Sequence, residues 1–269
     1  MTFTVISYGG GVQSTAMIVL AAQGKLGYDV DAAIFANVGD DSEHPDTLKY
    51  VRDIIAPWAK DNGVVIHELR KTDKDGEPLT LWQLLERENT PSIPIRLEPV
   101  GMPANRSCTN HFKVQVIGKY LKQLGATKDK RARVCIGIST DEIHRADGGK
   151  HKPPYQESVY PLIELGMSRS DCLKVITDAG LPVPRKSACW FCPYTRGNQW
   201  AEMKRDEPDL FERACNLEDS INRKRQEQGK TPAYLSRLRA PLRLMTEAQD
   251  ELPLFGPDAE TCDEGYCWT

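Results

Sequence analysis

The sequence predicts an α/β protein: a parallel, twisted sheet with helices on both faces, and a smaller, mostly helical C-terminal region that contains cysteines. Three observations lead to this fold class. Short apolar runs alternate with helix-like segments through residues 1–150, a glycine-rich turn joins the first strand to the first helix, and a cysteine-rich segment follows later in the chain. Alternation of strands and helices is typical of a parallel sheet with covering helices.

The first element is a strand at residues 3–6, and a buried helix follows at residues 15–22, ending near Gly24. A strand that turns through glycines into a helix directs several backbone N–H groups at one point, where the helix dipole favours an anion. We therefore predict a nucleotide phosphate site. Its residues are Ser7, Gly9, Gly10, Gly11, Gln13 and Ser14.

Three kinds of phosphate loop compete for this segment. A Walker A loop needs a lysine, and none occurs between Thr2 and Gln23, which excludes it. A dinucleotide fingerprint would have a third glycine or an alanine at Ser14. The Ser-Gly-Gly-x-x-x-Ser pattern fits if Tyr8 is counted as an insertion, and it resembles the PP-loop of ATP pyrophosphatases. A turn without a ligand is the fourth interpretation, although its glycines would only weaken the fold.

The remaining elements follow in order. Predicted strands lie at residues 31–36, 64–69 and 133–138, and predicted helices at 45–55, 81–87, 114–124 and 168–179. A proline-punctuated loop lies at 91–103, and the chain after the cysteine-rich segment 187–194 is predicted to be helical to about residue 228. Ligands of parallel sheets bind at the carboxyl ends of strands. The segments 7–14, 37–41 and 139–145 all follow strands, so we expect them to converge on one site.

Residues 148–154 have the composition of a linker, which predicts a nucleotide-binding domain at 1–150 and a cysteine-containing, mostly helical region at 151–269 with a mobile acidic tail. The basic residues of 223–243 indicate either a solvated helix face or a footprint for a polyanion such as nucleic acid. No apolar stretch approaches the roughly 20 residues of a membrane span, and we expect no membrane association.

Eight cysteines occur in the chain, whose net charge is −3. The N-terminus shows no basic region followed by an apolar run, so we expect no secretion signal. Thiols in a reducing compartment bind metals or do chemistry rather than form disulfides, and this predicts a cytoplasmic protein.

The order of motifs is more specific than any one of them. It comprises the glycine loop, Asn37-Val38-Gly39-Asp40 with Glu43-His44-Pro45, Arg106-Ser107-Cys108 with Lys113, Gly137-Ile138-Ser139 with Asp141 and Arg145, and Cys189-x-x-Cys192-Pro193. Over residues 1–200 this order resembles the phosphoadenylylsulfate (PAPS) reductase-like branch of the PP-loop superfamily, which includes DndC-type proteins of DNA phosphorothioation. The resemblance implies a nucleotide ligand, ATP or else APS or PAPS, on the loop, with Lys113 among its binding residues.

The resemblance also places the end of the second strand beside the nucleotide. Asn37, Asp40 and Asp41 are candidates there, and an acidic group near phosphates suits Mg²⁺ or a ribose hydroxyl. The alternative is an Asx-type turn or a helix N-cap. Asp141 and Arg145 are candidate catalytic residues, since arginine can grip a phosphate that aspartate orients. A plain ion pair is the alternative.

Cys108, Cys189 and Cys192 are candidate metal ligands, because a Cys-x-x-Cys turn chelates and a distant cysteine adds a third sulfur. A [4Fe–4S] cluster is one occupant, and related PP-loop proteins carry one on similarly placed cysteines. Structural zinc is another, with His111, Cys262 or Cys267 as fourth ligand, and a metal-free redox dithiol is the third. Cluster-bearing reductases have a Cys-Cys pair where this chain has Ser107-Cys108. This difference leaves the ligand of the fourth iron undetermined, either substrate sulfur or a cysteine of the tail.

Three functions follow from these residues. The first is ATP-dependent adenylation and sulfur transfer to a nucleic acid or nucleotide, with a sulfur-donor protein as possible partner. The second is APS or PAPS reduction, in which Cys262 or Cys267 of the tail would be the catalytic thiolate. The tail does not match the Glu-Cys-Gly-x-His motif of such reductases. The third is a non-catalytic nucleotide-binding subunit of a DNA-modification complex.

Overall fold

The computed structural model describes residues 3–88, 91–97, 107–146 and 153–244. The strands are β1 (Thr4–Tyr8), β2 (Ala32–Asn37), β3 (Ile66–Arg70), β4 (Arg96–Leu97), β5 (Ala132–Ile136), β6 (Gln156–Val159) and β7 (Ala233–Tyr234). The α-helices are α1 (Val12–Ala22), α2 (Pro45–Lys49), α3 (Ala56–Asp61), α4 (Leu81–Arg87), α5 (Ser107–Thr109), α6 (Gln115–Gln123), α7 (Pro161–Glu164), α8 (Arg169–Asp178), α9 (Gly197–Asp206) and α10 (Pro208–Glu227). Two π-helices, Tyr50–Ile55 and Asn110–Val114, and two 3₁₀-helices, Thr140–Arg145 and Leu242–Leu244, complete the list.

Five strands form one sheet in the order β3-β2-β1-β5-β6, and every pairing in it is parallel. The predicted α/β fold class is therefore confirmed. The central strands β1 and β2 are buried along their whole length, as expected for a parallel sheet covered on both sides.

Alternate residues of each central strand pack on opposite faces of the sheet. On β1, Ile6 joins a core with residues of α1 and α8, whereas Val5 joins a second core with Ile117 and Leu121 of α6. Side chains of a strand alternate with a period of two, so one short apolar run supplies both cores. The helices therefore lie on both faces, as predicted.

The structure refines several predicted boundaries. The strand predicted at 64–69 runs from Ile66 to Arg70, the one predicted at 133–138 from Ala132 to Ile136, and the helix predicted at 114–124 is α6 with a π-helical turn before it. The fifth sheet strand, β6, was missing from the sequence interpretation. It is an edge strand of sequence Gln-Glu-Ser-Val without a buried residue, and its apolar signal is correspondingly weak.

The residue contacts group the described chain into two compact units. The first contains the five-stranded sheet and draws on residues 3–80 and 109–188, and the second draws on 81–108 and 189–244. In the second unit β4 and β7 pair antiparallel, and helices α9 and α10 pack together. This grouping differs from the predicted split into 1–150 and 151–269, and that split stays a prediction. Residues 148–152 of the expected linker lie outside the described chain.

None of the described helices is both long enough and apolar enough to cross a membrane.

Candidate functional site: a glycine loop and a cysteine turn

The glycine loop joins the end of β1 to the start of α1 within the first unit. Gly10 has φ +79°, a conformation that favours glycine. Gly11 is the N-cap of α1 in extended conformation, and no side chain of the described residues caps the helix there. The first N–H groups of an eleven-residue helix are thus available to an anion.

Two serines frame this loop in different ways. Ser14 holds it closed, since its Oγ donates to the carbonyl of Gly11 at 3.1 Å and accepts from the N–H of Gly9 at 3.3 Å. Ser7 is 4% exposed, and its Oγ has no hydrogen-bond partner among the described residues. An unsatisfied buried hydroxyl costs about 1–3 kcal/mol. A ligand oxygen at the loop would remove that cost, so the residues present fit a phosphate.

Three more residues wall the loop closely. A Cβ on Gly10 would lie 2.9 Å from Cγ2 of Thr47, and a Cβ on Gly11 would lie 3.2 Å from Oγ of Ser187. A Cβ on Gly137 would lie 3.1 Å from the backbone nitrogen of Ser14. Thr47 and Ser187 were not among the predicted site residues. No local sequence pattern predicts that they lie at the loop, because Thr47 is an ordinary residue of a predicted helix and Ser187 belongs to the cysteine-rich segment.

Gln13 is held by a chain of polar contacts at the start of α1. Its Nε2 donates to Oε2 of Glu142 at 3.2 Å, and its Oε1 accepts from Nη1 of Arg169 at 3.1 Å. Glu142 also forms an ion pair with Arg145, and both of these residues are buried. Arg145 therefore orients Glu142, which in turn orients Gln13 beside the loop.

Asp141 has contacts of a different kind. It is exposed, and its Oδ2 accepts from Oγ of Ser139 at 3.3 Å and from the backbone N–H of Arg169 at 2.5 Å. The structure thus brings the two predicted catalytic residues into one 3₁₀-helix but gives them separate partners. Their catalytic role stays a prediction.

The loop after β2 contains the predicted magnesium candidates. Nδ2 of Asn37 donates to Oδ1 of Asp40 at 2.8 Å, and Oδ1 of Asn37 accepts from the N–H of Gly39 at 2.7 Å, which is an Asx-type turn. Asp41 accepts from the hydroxyls of Ser42 and Thr80, each at 2.8 Å. These polar groups hold the shape of the loop, and Mg²⁺ binding by Asp40 or Asp41 stays a prediction.

Asp40 lies within a network of opposite charges. Oδ1 of Asp40 is 2.7 Å from Nη2 of both Arg52 and Arg70, and the same arginines contact Glu68. Burial raises the pKa of Asp40, but hydrogen bonds from Arg52, Arg70 and Asn37 outweigh it and lower the pKa to about 2. The hydrogen bond from Arg52 is the largest cause that lowers the pKa of Glu68 to about 2.

Glu43 has a buried carboxyl group. It belongs to the motif Glu43-His44-Pro45, but the sequence predicted no function for it. It is 3% exposed, and its Oε1 has no hydrogen-bond partner among the described residues. Burial raises its pKa, while the charge of Lys113 and the N–H of Val38 act in the opposite direction. The predicted nucleotide-binding residue Lys113 is thus near enough to Glu43 to stabilise its charged form.

The three predicted metal ligands all belong to the second unit. Cys189 and Cys192 form a turn, in which the N–H of Cys192 donates to the carbonyl of Cys189 at 3.1 Å, and the N–H of Cys108 donates to the carbonyl of Ser92 at 2.8 Å. All three cysteines are partly exposed. Among described residues their sulfur atoms do not all lie within 4.8 Å of one another. Sulfur ligands of one tetrahedral zinc lie about 3.8 Å apart, so at least one pair of these sulfur atoms is farther apart than in a closed zinc site.

The two residues between the cysteines of the turn are aromatic and belong to a cluster of rings. Trp190 and Phe191 are buried with ring centroids 4.8 Å apart, and Trp82 lies 5.2 Å from Trp190. Arg213 lies over the Trp190 ring at 4.6 Å. This arrangement gives the cysteine turn a rigid, apolar support on one side.

The other described cysteines are buried thiols. Burial raises the pKa of Cys135 and Cys172 to about 12 each and that of Cys215 to about 11. A thiol with so high a pKa is a poor nucleophile and metal ligand at neutral pH. Cys262 and Cys267 lie outside the described residues, and His111 belongs to the first unit.

The basic stretch 223–243 mostly stabilises its own unit. Arg243 contacts Glu212 and Asp219, and Nζ of Lys224 donates to backbone carbonyls at the end of α4, the closest being Glu86 at 2.7 Å. These contacts favour the interpretation of the basic residues as a solvated helix face over their interpretation as a binding surface for a polyanion.

No family model and no curated protein matches the chain. Among solved structures it is similar to the U34-tRNA thiolase NcsA from Methanococcus maripaludis, a structure that includes a [4Fe–4S] cluster. The identity is 14% and the TM-score 0.41, over 82% of this chain and 72% of that chain. The likeness is remote, and the fold class is established by the parallel sheet itself.

Proposed function

We propose that this chain binds ATP at the glycine loop and activates an oxygen atom of a nucleic acid or nucleotide acceptor for replacement by sulfur. The observation that carries the proposal is the loop at the start of α1. Within the described part of the chain no side chain caps this helix, and the buried hydroxyl of Ser7, at the end of the preceding strand, has no hydrogen-bond partner. Both groups favour a phosphate oxygen, and their positions at the end of β1 match the ligand site of parallel sheets.

In the proposed reaction the acceptor oxygen attacks the α-phosphorus of ATP, and the bond from this phosphorus to the pyrophosphate oxygen breaks. Backbone N–H groups of Gly10, Gly11 and the first turn of α1 stabilise the charge that develops on the leaving pyrophosphate. Ser14 keeps the loop in shape, and Gln13 is positioned by Glu142 and Arg169. A sulfide from a donor protein then forms the bond to the acceptor carbon, and the bond from this carbon to the adenylated oxygen breaks as AMP leaves.

Cys108, Cys189 and Cys192 would hold an iron–sulfur cluster. The donor set fits, because three partly exposed thiols belong to one packed unit, and two of them flank the buried residues Trp190 and Phe191 in the sequence. A cluster with three cysteine ligands would supply an iron position that can bind a sulfur atom. Zinc remains the competing occupant. Thiols of this kind require reducing conditions, from which we infer a cytoplasmic location.

The first test is a calorimetric titration of the anaerobically purified chain with Mg·ATP and, separately, with PAPS and APS. We expect saturable binding of ATP that is at least tenfold tighter than that of either sulfonucleotide. Preference for a sulfonucleotide would instead support reduction and direct attention to Cys262 and Cys267. Absence of binding by all three would reject the nucleotide site.

A further inference from the structure

A cationic cleft opens in the first unit beside the end of β3. It has a volume of about 250 Å³, and its walls come from residues 69–72 and from the helical segment 111–123. The ten lining residues include three cations, Arg70, Lys71 and Lys119, together with His111, and none is an aspartate or glutamate. A concave surface lined by one sign of charge concentrates ligands of the opposite sign.

The cations of the cleft are not equivalent. Arg70 is ion-paired with Asp40 and Glu68, so its charge is balanced within the protein. Lys71 and Lys119 therefore supply the net positive charge. Lys71 is held in place, because its Nζ lies 5.5 Å from the centre of the Phe112 ring and 3.5 Å from the backbone carbonyl of His111. Lys119 is exposed on α6.

The cleft also presents groups that suit a nucleobase. Tyr120 lines it, and His67 supports the tyrosine with ring centroids 5.7 Å apart. Exposed aromatic rings bind unstacked bases through their faces, and side-chain amides such as that of Gln115 bond to base edges. The volume admits one nucleotide unit rather than a folded domain.

The position of the cleft relates it to the glycine loop. The loop follows β1 and the cleft follows β3, with β2 between them in the sheet. Two strand spacings amount to about 10 Å, and because the strands are parallel, the segments that follow β1 and β3 begin at the same edge of the sheet. Arg70 of the cleft also contacts Asp40 in the loop after β2, the strand that lies between β1 and β3.

We propose that this cleft binds a nucleotide unit of a single-stranded nucleic acid, with its phosphate on Lys71 and Lys119 and its base against Tyr120. This inference rests on the proposed function, for which it identifies the acceptor class. The same nucleoside phosphate chemistry could come from a second free nucleotide, and the experiment separates the two sources.

The test measures binding of a fluorescent single-stranded RNA, and of a DNA of the same sequence, by anisotropy over a range of salt concentrations. The variants are Lys119→Glu alone and with Lys71→Glu, and the controls are Lys60→Glu alone and with Lys128→Glu. Lys60 and Lys128 are exposed lysines outside the cleft, so each control changes the net charge as much as the variant with the same number of substitutions. Because Lys119 is exposed, the single variant should fold normally, and its melting curve verifies this.

We expect the double variant to bind RNA at least tenfold more weakly than the double control. Loss of two phosphate contacts should also reduce the salt slope of log K by about 1.4, at roughly 0.7 per contact for single strands. Equal affinity of the double variant and the double control would overturn the proposal. The unmodified protein could instead bind a second ATP molecule that the double variant does not bind, with RNA binding unchanged. This result would assign the cleft to a free nucleotide and overturn the proposal that it binds a single-stranded nucleic acid.

The titration with ATP separates this inference from the function on which it rests. If ATP binds normally to all variants and the lysines do not affect RNA binding, the cleft assignment fails and the nucleotide site stands. If ATP does not bind to the unmodified chain, the proposed function fails, whatever the RNA result.

Discussion

The substitution Gly9→Ala tests the contribution of the glycine loop to ligand binding separately from its contribution to folding. The φ of Gly9 lies outside the positive range, and a Cβ built on this residue meets no atom of the described residues within 4 Å. The fold should therefore accept Gly9→Ala with a change in unfolding free energy within about 0.5 kcal/mol. If the open space beside Gly9 is where phosphate binds, the added methyl group displaces the ligand.

The size of the effect follows from the hydrogen bonds at stake. A phosphate oxygen bound by a loop N–H lies about 2.9 Å from the nitrogen. A hydrogen bond to a charged group contributes about 1.5–3 kcal/mol. Loss of one such bond through displacement by the methyl group weakens ATP binding about 10- to 150-fold. Isothermal calorimetry gives this affinity, and thermal unfolding of the same sample gives the stability.

Two further glycines provide controls. Gly24 has φ +67° with open space around its Cβ position, so Gly24→Ala should cost only the backbone strain of about 1–2 kcal/mol and leave ATP affinity unchanged. Gly10→Ala adds crowding against Thr47 at 2.9 Å, about 1–3 kcal/mol more, and should lose stability and binding together. Undiminished ATP affinity in a folded Gly9→Ala protein would refute the assignment of phosphate to this loop.

Ser7→Ala removes a buried hydroxyl for which the described residues offer no hydrogen-bond partner, so stability should hold or rise by about 1 kcal/mol while ATP affinity falls about tenfold, as unfolding and calorimetry would reveal. Unchanged affinity would mean that this hydroxyl does not contact the ligand. Cys189→Ser and Cys192→Ser should lose bound iron in anaerobic metal analysis, whereas Cys215→Ser, a buried thiol of the same unit, should keep it. Equal iron content in all three proteins would contradict the ligand assignment. Because the folded-state pKa of Asp40 is lowered to about 2, its ion pairs stabilise the protein above the ordinary pKa near 4, and that stability should be lost as the pH falls from about 4 to 2. When the melting temperature is measured against pH, it should fall less steeply between about pH 4 and pH 2 for Asp40→Asn than for the unmodified protein. The same pH dependence in both proteins would show that the ion pairs of Asp40 do not cause the acid destabilisation.

Several features of the candidate site were predictable because they depend on neighbours along the chain. Apolar runs, helix periodicity and the glycines at 9–11 are local patterns, and they correctly indicated the sheet, its covering helices and the turn between β1 and α1. The turn at Cys189 and Cys192 is equally local. The weakly apolar β6 escaped notice because an edge strand buries little and leaves little hydrophobic signal.

The sequence by itself determined the fold class, the glycine loop at the start of α1 and the residue types available for metal binding. The tertiary structure alone decided which distant residues meet them. It brought Thr47 and Ser187 against the loop, paired Asp40 with two arginines, placed Cys108 in the unit of Cys189, and formed the cleft from β3 and α6. The physical reason is that side-chain periodicity is set within a few residues, whereas these contacts depend on strand order and helix packing across the whole sheet.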